Sequence, residues 1–280
     1  MTLLLFSTVY TAIQLFGQSV PLRFGPVIHE TRSEYSHIRI REKGTVRSLL
    51  FVDEDGKEQC QSSLDLADPG KNQLAYTRSL FASFLLCHPQ NRVLIVGLGG
   101  GGMVRFLNRT FPEMKVEAVE IDPVVVALAA EYFKTVEGPN TGIHTADAFH
   151  FFGGESGAYD AIYLDAFLRA TPGSGQQEKT ARLKTEEFLK QVRASLTPGG
   201  VVAFNLLSSD EKTPGDIELI RRVFPSTLLF TVPTSGNLVL IASAGAHELG
   251  IEDRRRRAIE LDELLPVGIS FQDLVENLIP

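Results

Sequence analysis

Hydrophobic and polar positions change their period along the chain, and each change marks a new part. From Val27 to about Gln61 the period is two: SHIRIRE alternates, VRSLLFV is a second apolar run, and Asp55-Gly56 supplies the turn of a hairpin. A small β-domain over residues 26–73 is expected, closed by the loop LADPGK at Leu66 to Lys71. Leu74 to His88 then takes helical spacing, with Leu74, Leu80, Phe81, Phe84 and Leu85 on one side. From Arg92 short apolar runs alternate with helix-like segments. Pro123 to Phe133 reads as a helix with Asp122 as N-cap and proline at its first position. HTADAFHFF follows a third strand, and YDAIYLDAF contains a fourth. Leu168 to Lys184 is a polar loop placed to hang over a site as a lid. Thr185 to Leu196 reads as a helix, VVAFNLL as a strand and Asp216 to Val223 as a helix. Leu228 to Val232 and Leu238 to Ser243 form a closing strand pair. The pattern predicts a doubly wound, mostly parallel α/β domain over 74–248 and a helical tail over 249–280.

The most informative stretch is RVLIVGLGGGGMVRFLNRTFPEMKVEAVEIDP, residues 92–123. Strand, glycine turn, helix and a second strand ending in acids form the phosphate- or nucleoside-binding half of a doubly wound sheet. Glycine lets a ligand approach the main chain with no side chain between. Gly97, Gly99 and Gly102 satisfy the dinucleotide pattern literally, so a nicotinamide cofactor competes for this signal. An acid after the second strand (Glu120) can accept from both hydroxyls of a ribose. Another after the third (Asp147) can accept from an adenine amino group, and Asp165 ends the fourth. That series matches S-adenosylmethionine-type transferases better than nicotinamide enzymes.

Composition narrows the classes. A hydrophobic share of 44% with 22% charged residues is ordinary for a globular protein with a sizeable core. The net charge of −7 argues against nonspecific nucleic-acid binding and suits a cationic or amine substrate. Arg254 to Arg257 reads as the solvated face of a helix. The two cysteines and six histidines show no metal-ligand spacing, so no metal is expected. Residues 1–25 begin with 22 positions free of charge, with Leu3 to Phe16 largely apolar. A signal or membrane anchor and a segment packed on the body both remain open for it, since no basic residue precedes the apolar run and polar residues interrupt it.

The stretch from about Val27 to Ala244 resembles the spermidine-synthase-like family. Asp55-Gly56-x-x-Gln59-Cys60 looks like its D-G-x-x-Q turn, and Tyr76 falls where it has a tyrosine. Val119-Glu120-Ile121-Asp122 is similar to its ribose-binding acids, Asp147-Ala148 to its adenine-side pair, and Tyr159-Asp160 through Asp165 to the strand ending in its catalytic aspartate. The resemblance implies a small N-terminal β-domain before a Rossmann-like domain that binds S-adenosylmethionine or its decarboxylated form. Gln59, Gly97, Gly99, Gly100, Gly101, Glu120, Asp122, Asp147 and Ala148 would then hold the cofactor. Asp165 would be catalytic, and Tyr76 and Asn205 would contact the substrate. The acceptor would be a small-molecule or protein amine, the location cytoplasmic unless residues 1–22 export or anchor the chain, and a homodimer stays open.

Two departures bear on the reaction. The family's G-G-G-D-G-G turn reads Gly97-Leu98-Gly99-Gly100-Gly101-Gly102 here, so the acid that pairs with the amine of decarboxylated S-adenosylmethionine is glycine. Arg78 replaces an acid two places after the tyrosine, a poor neighbour for a polycation. The turn VGLGGGGM is similar to that of the elongation-factor methyltransferase branch. Methyl transfer to an amine or other nucleophile is therefore the expected activity. Polyamine aminopropyl transfer and a non-catalytic member of the fold are the alternatives. Restoring an acid at Gly100 is expected to turn preference toward the decarboxylated cofactor, and Glu120 is expected at an exposed strand end.

Overall fold

The computed structural model describes residues 23–69, 75–152, 159–166, 182–233, 235–245, 250–265 and 268–279. The expected N-terminal signal or anchor (1–22) and most of the expected lid (167–181) lie outside them. Among the described residues no helix is long and apolar enough to cross a membrane.

Four strands, β1 (Val27–Arg32), β2 (His37–Lys43), β3 (Val46–Val52) and β4 (Glu58–Asp65), form an antiparallel sheet in sequence order. The alternation at 36–42 puts Ile38 and Ile40 on its buried face. The Asp-Gly turn forms as expected: Gly56 adopts φ +78°, its N–H donates to Asp53 O (3.0 Å), and Asp53 Oδ1 accepts from Lys57 N (2.8 Å). Between Leu49 and Leu50 the β3–β4 register slips, and the bulge shifts β4 against β3 just before Ser62.

The second sheet has eight strands in the order β12-β10-β11-β9-β8-β5-β6-β7. They are β5 (Arg92–Val96), β6 (Lys115–Glu120), β7 (Thr141–Thr145), β8 (Tyr159–Leu164), β9 (Leu196–Leu207), β10 (Ser226–Thr231), β11 (Asn237–Ser243) and β12 (Leu278–Ile279). Strands β9, β8, β5, β6 and β7 run parallel, and β10, β11 and β12 add antiparallel pairs at one side. Because β5 pairs with both β6 and β8, the order reverses there, and the carboxyl ends of β5 and β8 flank the crevice where such sheets bind ligands.

Helix α1 (Ala75–Leu80) is followed by a 3-10 turn at Phe81–Leu85, then α2 (Gly102–Thr110), α3 (Pro123–Phe133), α4 (Ala148–Phe152), α5 (Glu186–Ala194), α6 (Thr213–Val223), α7 (Ile251–Leu264) and α8 (Phe271–Glu276). The single helix expected to His88 gives way after Leu80 to the 3-10 turn, whose residues Phe81 to Leu85 are all buried. Residues 250–279 do more than append helices: Ala258, Leu261, Phe271, Leu274 and Val275 join the core beneath α1, and β12 pairs with β10.

Alternate residues of β5 serve opposite faces, Val93 and Ile95 packing with the 3-10 turn and α2, and Leu94 and Val96 with α5. Helix α3 joins the two sheets. Its Val125, Leu128 and Phe133 pack against Ile38, Ile40, Leu49 and Leu64, and burying Phe133 alone stabilises the joint by about 2–3 kcal/mol. Arg47 Nη1 donates to Tyr132 O (2.7 Å), while Tyr132 Oη and His29 Nδ1 share a hydrogen bond (3.2 Å).

Asp122 anchors this joint. It is fully buried, its Oδ1 accepts from Val124 N (2.9 Å) as the N-cap of α3, and its Oδ2 accepts the hydroxyl of Ser33 from the loop before β2. Asp122→Ala should lower unfolding free energy by about 1–2 kcal/mol, through the lost cap and the lost bond to the half-buried Ser33 hydroxyl. Urea denaturation checks this, and a change below about 0.5 kcal/mol would show that the two sheets are held together elsewhere.

Candidate functional site

The glycine turn sits at the centre of the crevice. Gly97, Gly99 and Gly101 adopt φ of +96°, +52° and +71°, a region that side-chain-bearing residues rarely enter. A Cβ on Gly97 would lie 3.1 Å from Ala166 N, and one on Gly101 would strike Thr135 at 2.2 Å. The turn is pinned at several points. Gly97 N donates to Val119 O (2.8 Å) and Gly101 N to Leu98 O (2.8 Å). Arg105 Nη1 and Thr135 Oγ1 both donate to Gly100 O. The Arg105 guanidinium also donates to Phe133 O (2.9 Å) and Pro69 O (3.3 Å), and burial pulls its pKa down to about 10. Sequence reading missed Arg105; the only signal was an arginine among the apolar residues Met103 to Leu107 at the start of α2.

Glu120 ends β6 beside this turn. Its Oε2 accepts from Leu98 N (3.0 Å) and its Oε1 from Asp122 N (3.1 Å), leaving further lone pairs on both oxygens. It is half-buried rather than exposed, because it serves as a brace for the turn as well as a strand-end acceptor. Burial raises its pKa, and the two N–H donors act in the opposite direction. Asp147 opens α4: its Oδ1 accepts from Phe149 N (3.0 Å), and its Oδ2 lies 3.7 Å from His150 Nδ1. Ala148 is buried behind it.

Asp165 follows β8 and is the most perturbed carboxyl in the crevice. Its N–H donates to Val96 O (2.9 Å), which locks it against the start of the glycine turn. Oδ2 accepts from Tyr76 Oη (3.1 Å) and Oδ1 from Asn205 Nδ2 (2.8 Å). Burial pushes its pKa up to about 7 against the pull of these two donors. The same burial, with the neighbouring Asp165 charge, raises the Tyr76 phenol well above its ordinary range, so it remains a hydrogen-bond donor. Tyr76, Asp165 and Asn205 are thus brought into one cluster.

Other expectations change. Asp122 has no exposed surface and both its oxygens are engaged, so its carboxylate has no face on which a ligand could land. Gln59 is exposed on β4; it is Ser62, three residues on, that reaches the glycine turn. A Cβ on Gly100 would meet Ser62 Oγ at 2.8 Å and the buried Phe133 ring at 2.9 Å. An acid therefore cannot be restored at Gly100 without disturbing the joint between the sheets, and that substitution does not test cofactor preference.

Glycine turn, strand-end acids and a crevice at the point of strand reversal define an α/β nucleoside-binding domain. The chain belongs to the spermine/spermidine synthase domain family, whose model matches residues 73–241. A polyamine aminopropyltransferase of Chromobacterium violaceum is 33% identical over 244 residues, covering 86% of this chain and 88% of that protein. Among solved structures, human methyltransferase-like protein 13 in complex with SAH superposes with a TM-score of 0.61 at 25% identity, over 69% of this chain and 93% of the other. A spermidine synthase in complex with the transition-state analogue AdoDATO superposes with a TM-score of 0.63 at 21% identity, over 87% and 84% of the two chains, and shows the shared fold.

The raised pKa of Asp165 has a signed consequence for stability. Between an unfolded value of 3.8 and a folded value of about 7, the unfolded chain loses this proton first, so the contribution of Asp165 falls as pH rises through that window. Asp165→Asn escapes the loss. The mutant's stability relative to wild type should therefore grow from about pH 4 to about pH 7 and level off above. Parallel denaturation curves with a constant difference across that range would show that Asp165 titrates like an ordinary aspartate.

Proposed function

We propose that this chain is a transferase that alkylates an amine from a sulfonium nucleoside of the S-adenosylmethionine type, with Asp165 as general base. The observation that carries the reading is the Tyr76–Asp165–Asn205 cluster at the end of β8, next to the glycine turn. The residues fit such a cofactor. The turn exposes main chain without Cβ atoms, and Glu120 and Asp147 are acceptors positioned by backbone N–H groups with lone pairs to spare. Glu120 would take the ribose side and Asp147 with Ala148 the base side. When bound, the cofactor supplies an electrophilic carbon and a neutral thioether leaving group.

The chain's own part is to position an amine and take its proton. An alkylammonium with pKa near ~10.4 costs about 4–5 kcal/mol to deprotonate at pH 7. Asp165, with its pKa raised to about 7, is a stronger base than an ordinary aspartate and is still substantially ionised at neutral pH. Asn205 and Tyr76 each hold one carboxylate oxygen, leaving the remaining lone pairs for the amine. Amine nitrogen, its proton passed to Asp165, would bond to the donor carbon as the carbon–sulfur bond breaks toward sulfur, and the product would leave as the substituted ammonium.

Methyl transfer from S-adenosylmethionine is the first reading for the group moved. It is supported by Gly100, where a carboxylate to pair with the amine of the decarboxylated donor would have to displace Ser62 or Phe133, and by Arg78 on α1. Aminopropyl transfer is the second reading, favoured by relatives named polyamine aminopropyltransferase at 33% identity. Calorimetry decides between them. S-adenosylmethionine should bind at least as tightly as its decarboxylated form. A strong preference for the latter, with putrescine consumed and methylthioadenosine released, would establish aminopropyl transfer instead.

With the working donor and an amine acceptor, Asp165→Asn should lower turnover by about 10²- to 10⁴-fold while donor affinity stays nearly constant. Equal turnover in mutant and wild type would remove Asp165 from the chemistry.

A further inference from the structure

The hydrogen bonds at Asp165 do not end at Asn205. Asn205 is fully buried on β9, and its Oδ1 accepts from Asn237 Nδ2 (2.8 Å) at the start of β11. Asn237 is oriented in turn by Ser235. The Ser235 hydroxyl donates to Asn237 Oδ1 (2.8 Å) and accepts from Asn237 N (3.1 Å), so the Asn237 amide presents its NH2 end to Asn205. A chain of side chains thus runs from the exposed β10–β11 turn through Asn237 and Asn205 to the carboxylate.

An asparagine amide has a donor end and an acceptor end, and the two have opposite effects on a neighbouring carboxyl. With NH2 toward Asp165, Asn205 favours the ionised acid. With its carbonyl turned there, it would repel the carboxylate and accept from the protonated acid instead. Nothing at Asp165 itself forbids the second state once the acid holds a proton. The restraint comes from the far end, because turning Asn205 would set its NH2 against the NH2 of Asn237 and leave both donors without an acceptor at that contact.

We infer that Asn237 is a positioning residue for the base: by donating to Asn205 Oδ1 it fixes the amide with its NH2 toward Asp165, and so keeps the carboxylate available in its ionised form. This rests on the reading of Asp165 as base for its functional meaning, although the positioning itself does not. The other titratable groups about Asp165 are Tyr76 on α1, Cys60 on β4, which is electrostatically coupled to Tyr76, and Glu120 beyond the glycine turn on β6. None of them bonds to Asn237, so substitution there leaves their contacts in place.

The test is a carboxyl-carbon NMR titration of Asp165, assigned with Asp165→Asn, in wild type, Asn237→Ala, Asn205→Leu and the double variant. Asn237→Ala should raise the Asp165 midpoint by about half to one pH unit, a three- to tenfold loss of the ionised form at a fixed pH below the midpoint. Asn205→Leu should raise it at least as far, and adding Asn237→Ala to it should produce no further shift. An unchanged midpoint in folded Asn237→Ala overturns the proposal. So does an equal shift from Asn237→Ala in the Asn205→Leu background, since Asn237 would then act without the amide. Should Asn205→Leu fail to fold, Asn205→Ala takes its place in the cycle with the same expectations. A pH–turnover profile separates the two readings. If the NMR midpoint moves and the acidic limb of turnover does not, Asn237 positions Asp165 but Asp165 is not the base.

Discussion

The backbone of the turn after β5 is the constraint from which the site hangs. Three glycines in left-handed conformations let main chain come within contact distance of Ala166, Thr135 and Ser62, positions drawn from three different parts of the fold. Its flanks are hydrogen-bonded to both neighbouring strand ends, through Val96 O to Asp165 N and through Leu98 N to Glu120. Gly100 O is held from behind by Arg105 and Thr135. The acids at the strand ends therefore owe their spacing to one turn, and side chains in that turn would separate them.

The second balance is electrostatic. Asp165 is taken out of water far enough that burial dominates its ionisation, yet it is given two side-chain donors that act against burial. An apolar pocket alone would keep the acid protonated at neutral pH, and full exposure would leave it a weak base. Two neutral donors, one of them a tyrosine that burial keeps protonated, lead to a value near neutrality without introducing a counter-ion. A cationic partner would have lowered the pKa.

The β-domain is more than an appendage to this arrangement. Through α3 it shares a core with the large sheet, and Ser62 of β4 packs at Gly100. A side chain at position 100 would have to displace Ser62 or Phe133, which belong to that joint. Packing between domains and the charge of the cofactor pocket are in this way one feature. What departs from the family at Gly100 is a steric as well as an electrostatic property.

Much of this was legible in local order. Period-two and apolar runs marked the strands, Asp122-Pro123 marked the start of α3, and glycine density marked the turn, because each depends only on residues a few positions apart. The strand-end acids were legible for the same reason: a doubly wound sheet places the residue after each parallel strand at one edge. Roles set by long-range contact were not. Asp122 and Glu120 look alike in V-E-I-D; the cap bond of Asp122 to Val124 is local, but its second oxygen is taken by Ser33, 89 residues away, while Glu120 keeps free lone pairs. The change from α to 3-10 geometry at Phe81 left no mark in the hydrophobic period. The Tyr76 bond to Asp165 and the amide chain through Asn237 join residues from α1, β8, β9 and β11. Sequence alone determined which chemistry was present and at which edge of the sheet. Tertiary structure decided which carboxylate is buried, what holds it and at what pH it ionises, because desolvation and hydrogen bonding are properties of neighbours in space.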